Sequence, residues 1–383
     1  MTNKRILLVG DGNHQFITNY AIWLKKQNGR SFSIDMLSLT PVRKDNVKFY
    51  QFIYQVKKDD LLHRIGKKIK GFNLFYRFYL YKKLIAIMHD YDIIHFHFLS
   101  YDSYFLARQF KKKSKSKIIL SIWGSDMYRL HSVLENCFVK TCRNADRITF
   151  TNKKSLEHFQ DRYHWKKNNL SVIAFGLAPL EYMKEITMSK VECKERLSWN
   201  KDKLAITIGY NMAVAQQHLS ILTQLENKKI TAFHNKIELI LPITYGGDKN
   251  YKRQILSKLN QLPFEYKVYD EFLGDEIVAH IRKASDVMLQ LQITDQFSGS
   301  MQEHLFARNV VITGSWLPYD TLKEKGSYFI EIDKVEDLND VLPDVINNFS
   351  TYEQRTTNNP GVITELSSWG KNIKQWAEMY NSL

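Results

Sequence analysis

Hydrophobic runs of strand length alternate with amphipathic stretches of helix length along most of this chain. In the first half, strands are predicted at 5–10, 31–37, 92–98, 117–122, 147–150 and 170–175. Helices are predicted between them, near 14–27, 59–89, 101–113, 130–143 and 153–162. A second strand series follows, at 204–209, 236–242, 266–270, 287–292, 309–314 and 327–332. Nearly continuous Ile, Leu and Val strands separated by helices indicate parallel sheets covered on both faces.

The two strand series predict two doubly wound α/β domains, separated by a polar connector near 183–202. A chain of 383 residues suits this division, because single cores rarely grow beyond roughly 250–300 residues. We predict a first domain over 1–190, a second over 195–363, and a C-terminal helix over 364–383 that packs on the first domain. One face of that helix would carry Leu366, Trp369, Ile373, Trp376 and Tyr380. Ligands bind beyond the carboxyl ends of such strands, so we expect the chemistry in a cleft between facing domains.

One segment of the second half carries two carboxylates, Asp295 and Glu303, eight positions apart. Between them, Ser298, Gly299 and Ser300 can open a helix whose free N–H groups and positive dipole end accept a phosphate. Glu303 would then lie about one turn inside the helix and could receive ribose hydroxyls. Asp295, on the preceding loop, could receive sugar hydroxyls. The alternative is an ordinary amphipathic helix with a Ser cap.

This segment resembles the Glu-x7-Glu motif of the family-four-like retaining glycosyltransferases of the GT-B fold, with Asp295 in place of the first Glu. The resemblance implies that Asp295 contacts the donor sugar and Glu303 the donor ribose. The backbone of Gly299, Ser300 and Met301 would hold the diphosphate. It also implies two Rossmann-like domains, a nucleoside-diphosphate sugar as donor substrate, no cofactor, and no catalytic metal.

His95 and His97 stand at strand spacing in the predicted strand 92–98, so both side chains point to one face. In the resembled family an HxH sequence ends this strand, and its second His contacts the donor sugar near the reacting carbon. This makes His97 the first catalytic candidate, with a core histidine as the alternative. Asp126, after the strand 117–122, is a second candidate that could orient an acceptor hydroxyl or act as a base. It would fit equally well as a helix N-cap.

The turn after the first strand contains Gly12, Asn13 and His14. In GT-B enzymes this turn faces the donor phosphate and the acceptor. Gly12 is therefore a donor-binding candidate, and Asn13 and His14 are acceptor-binding candidates. A simple tight strand-to-helix turn is the alternative, because a lone GxG is a weak signal.

In the second half, Gly209 and Gly246 sit in turns where a backbone could approach a ligand closely. The segments around them resemble, more loosely, the acetamido-fucose transferases of enterobacterial surface-antigen synthesis. On that resemblance His218, Tyr245 and Asn250 become site candidates.

The chain departs from the family-four pattern after the first strand of the second domain. Family members usually place an Arg and a Lys there, whereas this chain has Gln216, Gln217 and His218. The diphosphate charge would have to be met by His218, Lys249 or Arg253, or by helix N-termini.

The net charge of +15, from 55 Lys and Arg against 40 Asp and Glu, favours anionic partners. The stretches 57–83 and 108–117 interleave basic and aromatic residues, a pattern suited to an anionic membrane surface. A solvated basic face is the alternative, and without zinc-finger or RNP signatures no nucleic-acid partner is expected. Three cysteines without a CxxC pair favour a reducing cytoplasm. No run reaches the ~18 apolar residues of a membrane span, so we expect peripheral association with the inner face of the cell membrane.

These features predict a hexosyl- or deoxyhexosyl-transferase that acts on a hydroxyl of a lipid-linked or surface-glycan acceptor in bacterial polysaccharide or capsule synthesis. The family-four resemblance implies retention at the anomeric carbon. The acetamido-fucose resemblance leaves inversion open, with Asp126, His97 or Asp11 as the base. Two alternatives remain: a nucleotide-sugar 2-epimerase of the same fold, and a non-enzymatic basic protein that binds membranes or polyanions on this scaffold.

Overall fold

The computed structural model describes residues 4–28, 32–56, 72–295 and 297–383. The chain forms two units. Unit 1 comprises Met1–Gly176 and Trp369–Leu383, and unit 2 comprises Leu177–Ser368. The predicted boundary at 190–195 falls within unit 2.

Unit 1 contains a seven-stranded parallel sheet with the order β3-β2-β1-β4-β5-β6-β7. Its strands are β1 (Lys4–Gly10), β2 (Phe32–Ser38), β3 (Ile53–Gln55), β4 (Ile93–His97), β5 (Lys117–Ile122), β6 (Arg147–Phe150) and β7 (Leu170–Val172). The strand order reverses between β1 and β4, and this switch point is where doubly wound sheets bind ligands. The three-residue strand β3 was not predicted, because so short a run shows no periodicity.

Unit 2 contains a six-stranded parallel sheet with the order β10-β9-β8-β11-β12-β13. Its strands are β8 (Leu204–Ile208), β9 (Ile237–Pro242), β10 (Glu265–Tyr269), β11 (Val287–Gln290), β12 (Val310–Gly314) and β13 (Ile330–Ile332). The switch point lies between β8 and β11. The prediction of two doubly wound α/β domains is therefore confirmed.

Helices connect the strands in both units. Within its described residues, unit 1 contains α1 (Gln15–Asn28), α2 (Lys44–Val47), α3 (Phe72–Ile87), α4 (Tyr101–Lys113), α5 (Ser125–Tyr128), α6 (Ser132–Arg143) and α7 (Lys153–Tyr163). Unit 2 contains α8 (Ala178–Glu185), α9 (Lys190–Arg196), α10 (His218–Gln224), α11 (Lys228–Thr231), α12 (Lys249–Leu259), α13 (Asp275–Ala284), α14 (Gly299–Phe306), α15 (Asp320–Glu324), α16 (Leu338–Asn347), α17 (Phe349–Arg355) and α18 (Asn359–Ser367). The last helix, α19 (Trp369–Asn381), belongs to unit 1.

Strand β1 is apolar without interruption from Ile6 to Val9, and the packing of these residues explains why. Ile6 and Leu8 belong to one hydrophobic cluster, whereas Leu7 and Val9 belong to another. Successive side chains of a strand point to opposite faces, so both faces of this sheet are buried. Burial on both faces removes the hydrophobic–polar alternation that a half-exposed strand would show.

Helix α19 completes one face of unit 1 with two tryptophans. Trp369 and Trp376 are fully buried. The Trp376 ring stacks on Phe175 with 5.3 Å between centroids, and its Nε1 donates to the carbonyl oxygen of Ala174 at 3.1 Å. Leu366 lies in α18, because the chain is extended at Ser368 and breaks the helix there. The prediction of one continuous apolar face was thus wrong for Leu366.

The predicted connector near 183–202 contains a helix of unit 2. Ser189 and Glu192 form a capping box that starts α9. Cys193 and Trp199 are buried in a hydrophobic cluster with residues of the second sheet. The Lys194 ammonium group donates to the Asp286 carboxylate at 2.6 Å. The short helix escaped prediction because most of its seven residues are charged or polar.

Replacement of Trp376 by Ala should lower the free energy of unfolding by about 3–5 kcal/mol, since it removes a large buried side chain and leaves a cavity. The matched control is Lys374→Ala, an exposed position on the same helix, which should change stability by less than about 0.5 kcal/mol. Urea unfolding followed by circular dichroism measures both. Equal stability of the two variants would contradict the packing described for α19.

Candidate functional site

The turn after β1 is braced by contacts within unit 1. The Gly12 amide donates to Ser38 Oγ at 3.0 Å, and the Tyr50 hydroxyl donates to the Gly12 carbonyl oxygen at 3.1 Å. A Cβ at position 12 would lie 2.8 Å from a methyl carbon of Val42. Glycine is therefore required at position 12 by close packing, whatever ligand the turn meets.

Asn13 and His14, the predicted acceptor-binding residues, differ in their surroundings. Asn13 Oδ1 accepts from the Arg43 amide at 2.7 Å, and its Nδ2 donates to the Pro41 carbonyl oxygen at 2.8 Å. Both ends of the Asn13 side chain thus hold the neighbouring loop. His14 is exposed, and its ring lies 4.7 Å from that of Trp123. His14 is the better placed of the two to meet a ligand.

His97 lies at the carboxyl end of β4, beside the switch point of the first sheet. Its side chain is buried, yet neither ring nitrogen has a hydrogen-bond partner among the described residues. The rings of His95, Tyr20 and Phe175 surround it at centroid distances of 4.0, 5.2 and 5.9 Å. Burial, with a smaller effect from His14, lowers the pKa of His97 to about 3. The imidazole is therefore neutral at pH 7, with one free donor and one free acceptor.

His95, two positions earlier, is fully satisfied. Its Nδ1 lies 2.6 Å from the Tyr380 hydroxyl, and its Nε2 lies 2.7 Å from Ser121 Oγ. Ser121 in turn is 2.7 Å from the Thr149 hydroxyl. His95 therefore belongs to a buried polar network of the core. His95 is thus a core histidine, the alternative to a catalytic role.

Asp126, in the first turn of α5, holds together the ends of β4 and β5. Its carboxylate accepts from the backbone amides of Leu99, Trp123 and Gly124 at 2.9, 3.0 and 2.9 Å. Burial raises the pKa of Asp126 to about 6, although these hydrogen bonds act in the opposite direction. The geometry is that of a residue that fixes two turns, and its three accepted hydrogen bonds leave one of the roughly four acceptor sites of the carboxylate open.

The turn after β8 gathers neutral polar groups in unit 2. Gly209 has a φ of +62°, and a Cβ there would lie 2.8 Å from Gln216 Oε1 and 3.2 Å from His218 Nε2. Gln216 Nε2 donates to Gln292 Oε1 at 2.9 Å. Gln216 Oε1, Gln292 Nε2 and His218 Nε2 are buried without a partner among the described residues. Burial lowers the pKa of His218 to about 4, so this ring is neutral at pH 7.

The glycine turn after β9 packs closely against the turn after β8. Gly246 has a φ of +94°, and a Cβ there would lie 3.2 Å from the Ala213 amide nitrogen. The Tyr245 side chain is exposed. Asn250 Oδ1 accepts from an Arg253 guanidinium nitrogen at 3.3 Å on α12. The structure thus brings Gly246 near the turn that contains Gly209, with Tyr245 free to contact a ligand.

Helix α14 begins as predicted, with Ser298 as its cap. Ser298 Oγ accepts from the Met301 amide at 3.1 Å. The Ser300 hydroxyl is buried without a partner among the described residues. The first-turn amides of a helix have no acceptor within the helix and favour an anion. The start of α14, with Gly299 as its first residue, therefore keeps the properties needed to bind a phosphate.

The two carboxylates of the predicted motif both have partners in unit 2. Glu303 Oε2 accepts from Arg282 Nε at 3.0 Å, and both side chains are largely buried. Burial raises the pKa of Glu303 more than Arg282 lowers it. Asp295 accepts a hydrogen bond from the Tyr319 hydroxyl, and the same hydroxyl accepts from Gln290 Nε2 at 3.1 Å.

Arg282, Tyr319 and Gln292 are site residues that sequence reasoning missed. Tyr319 follows β12, so its position just beyond a carboxyl strand end was an available signal. Arg282 lies inside α13 and meets Glu303 only through packing, which no local pattern indicates.

Across the described ranges, no group of three or more His, Cys, Asp or Glu side chains is arranged to hold a metal ion. Within these same residues, no helix is long and apolar enough to cross a membrane.

Residues 5–152 match the model of a family described as glycosyl transferase 4-like. No curated protein sequence matches the chain significantly. Among solved structures, a glycosyltransferase from Rickettsia africae is 12% identical, with a TM-score of 0.74 over 100% of this chain and 99% of that one. HepE from Anabaena, in complex with UDP and glucose, is 12% identical, with a TM-score of 0.75 over 99% and 100%. Sucrose-phosphate synthase from Thermosynechococcus elongatus is 12% identical, with a TM-score of 0.69 over 99% and 98%.

These likenesses extend over both units and establish the fold. The seven- and six-stranded parallel-sheet domains are those of the GT-B glycosyltransferases, so the expected GT-B fold is confirmed. The matched family segment ends at residue 152 and includes the turn after β1, His97 and Asp126.

The buried neutral histidines should make the fold sensitive to acid. The pKa of His97 is below its unfolded value near 6.5, so the unfolded chain takes up a proton as pH falls through 6.5 while the folded chain does not. Stability is therefore retained above pH 6.5 and lost below it, by about 2 kcal/mol at pH 5 for this residue. His97→Gln should remove that part of the loss, whereas His89→Gln, at an exposed position, should not. Urea unfolding at pH 7 and pH 5 measures the difference, and identical pH dependence in all three proteins would contradict the burial of a neutral His97.

Proposed function

We propose that the protein is a glycosyltransferase that moves a sugar from a nucleoside-diphosphate sugar to an acceptor hydroxyl. The main support is the state of His97 at the carboxyl end of β4. Both of its ring nitrogens are buried and have no hydrogen-bond partner among the described residues. Unsatisfied polar atoms in a buried position are unfavourable unless a ligand completes them. A neutral imidazole can donate to one sugar hydroxyl and accept from another. The match of residues 5–152 to the glycosyl transferase 4-like family supports the same conclusion.

The donor-binding groups are assigned to unit 2. The first turn of α14 would receive the diphosphate, and its N–H groups would stabilise the negative charge that develops as the diphosphate leaves. Asp295 and Tyr319 would bind sugar hydroxyls, and Glu303, held by Arg282, would bind the ribose. HepE was solved with UDP-glucose and an Escherichia coli neighbour with UDP-2-fluoro glucose, so UDP-glucose is the first donor to test.

The surroundings of the candidate bases support retention at the anomeric carbon. With its pKa near 3, His97 is a weak base at neutral pH. The Asp126 carboxylate accepts from three backbone amides. Asp11 Oδ1 accepts from the Asn13 amide at 3.0 Å and from the Thr40 hydroxyl. An inverting reaction needs an available base to deprotonate the acceptor, and the weak basicity of His97 argues against that residue in the role. Retention is therefore the proposed outcome, and Asp126 is the base to test if the product is inverted.

The acceptor is proposed to be lipid-linked, with the enzyme bound peripherally at the inner face of the membrane during polysaccharide or capsule synthesis. Residues 57–71 of the predicted basic stretch lie outside the described residues. In the part that is described, α3 exposes Phe75 and Tyr79 together with Lys82 and Lys83. This combination of exposed aromatic and basic side chains suits an anionic lipid surface.

Donor binding tests the assignment of unit 2. UDP at 100 times its dissociation constant should stabilise the fold by ~2.7 kcal/mol, which a thermal shift detects. Glu303→Gln keeps the volume and an acceptor for Arg282 but removes the charge, and it should weaken UDP binding about tenfold. The matched control is Glu336→Gln, at an exposed position of unit 2, which should bind UDP normally. Normal UDP binding by Glu303→Gln would refute the ribose role.

Sugar transfer tests the role of His97. With UDP-glucose and a lipid-linked or glycan acceptor, His97→Gln should reduce kcat by about 100-fold while UDP affinity stays unchanged, because the lost contact acts on the reacting sugar. His89→Gln should retain full activity. Proton NMR of the product should show the donor's anomeric configuration. Wild-type conversion of free nucleotide sugar without an acceptor would instead establish an epimerase.

A further inference from the structure

A cavity of about 600 Å³ lies on the helical layer of unit 1, among α3, α4 and α6. Its volume is within the range of small-molecule sites, roughly 300–1,000 Å³. Ile118, near the amino end of β5, forms part of its lining. None of the side chains to which the proposed sugar contacts are assigned, namely His97, Asp295 and Tyr319, lines this cavity.

One wall of the cavity is aromatic. Phe78 of α3 stacks on Phe105 of α4 with 4.1 Å between ring centroids and 7° between planes. The Tyr101 ring also stacks on Phe78, with 5.6 Å between centroids, and is partly exposed. On α3 the apolar surface continues outward to Phe75, which is 76% exposed. Aromatic side chains that line a cavity offer apolar surface against which a hydrocarbon chain can pack.

The rest of the lining is basic. Arg108 of α4 and Lys140 and Arg143 of α6 line the same cavity and are exposed. Across the described ranges, none of the three forms an ion pair with a carboxylate. Lys140 and Arg143 fall in the last turn of α6, where the helix dipole favours cations. The dipole does not account for Arg108, which comes from another helix to the same cavity.

We propose that this cavity binds one anionic phospholipid, with an acyl chain against the aromatic wall and the phosphate at Arg108, Lys140 and Arg143. A free phosphate would leave the aromatic wall uncovered, and an uncharged hydrocarbon would leave three cations unpaired. An amphiphile with a phosphate beside its hydrocarbon chain matches both. The proposal rests on the peripheral membrane location proposed above and specifies which surface meets the lipid, but it requires neither the donor nor sugar transfer.

Vesicle binding tests the site directly. The purified full chain should float with vesicles of phosphatidylcholine and phosphatidylglycerol and not with phosphatidylcholine alone. The triple variant Arg108→Gln/Lys140→Gln/Arg143→Gln should bind the mixed vesicles at least about tenfold more weakly, because each basic residue near an anionic surface contributes to attraction. The matched control, Lys228→Gln/Lys325→Gln/Lys374→Gln, removes three exposed positive charges elsewhere from the same net +15 and should bind within about twofold of the wild type.

A second variant separates a binding cavity from a charged surface. Cys137 is exposed and lines the cavity, so Cys137→Trp should obstruct it without changing any charge. This variant should also bind the mixed vesicles at least about fivefold more weakly, because it blocks insertion of the chain. Normal vesicle binding by Cys137→Trp, or equal losses in the two triple variants, would overturn the site in favour of general surface attraction.

Soluble probes distinguish the possible sources of the phosphate. Short-chain phosphatidylglycerol below its micelle concentration should protect Cys137 from alkylation, whereas inorganic phosphate at the same concentration should not. Equal protection by both would overturn the lipid proposal. All variants should bind UDP as the wild type does, so loss of lipid binding with UDP binding retained concerns this cavity alone. If the wild-type protein does not bind UDP, that result contradicts the proposed function and leaves the lipid site untouched.

Discussion

Both faces of each parallel sheet are covered, and this burial determines where polar chemistry can occur. A strand segment that is apolar on both sides, such as Ile6 to Val9 of β1, offers no side chain to solvent. The groups that a sheet offers to a substrate are therefore expected beyond its strand ends, where backbone amides and polar side chains become accessible. The turns that contain Gly12 and Gly209, and the strand-end residues His97 and Asp295, all occupy such positions.

The same burial gives two adjacent histidines opposite properties. His95 and His97 share a face of β4, and burial lowers the pKa of both. His95 has hydroxyl partners at both nitrogens, so its burial is compensated. His97 is two residues closer to the carboxyl end of β4. There its neighbours are the rings of Tyr20 and Phe175, and no hydroxyl group bonds its nitrogens among the described residues. The fold therefore leaves the nitrogens of His97 without partners at the strand end, where a substrate could supply them. It provides hydrogen-bond partners for His95, which lies farther inside.

The sequence was sufficient for the fold because the signals for long elements are local. Helix α4 begins and ends at the predicted residues, and β5 does too. Elements with little periodicity were missed, namely the three residues of β3 and the largely polar helix α9. The candidate site was predictable only in part. The start of a helix at Ser298, Gly299 and Ser300 was predicted from the local sequence, and Ser298 caps that helix. The pairing of Glu303 with Arg282 instead joins residues of two helices and depends on tertiary packing.

The two proposed anionic partners, the nucleotide diphosphate and an anionic lipid, would meet surfaces of different charge. At the turn after β8, Gln216, Gln292 and a neutral His218 offer hydrogen bonds rather than positive charge. Helix N-termini act through oriented N–H groups within the first turn, so they can hold a diphosphate without attracting polyanions from a distance. The exposed cations on α3, α4 and α6 act at longer range, over a Debye length of about 8 Å at physiological salt. If both proposals hold, a short-range neutral site for the nucleotide and a basic helical layer for the membrane would let one chain bind the two anions without competition between them.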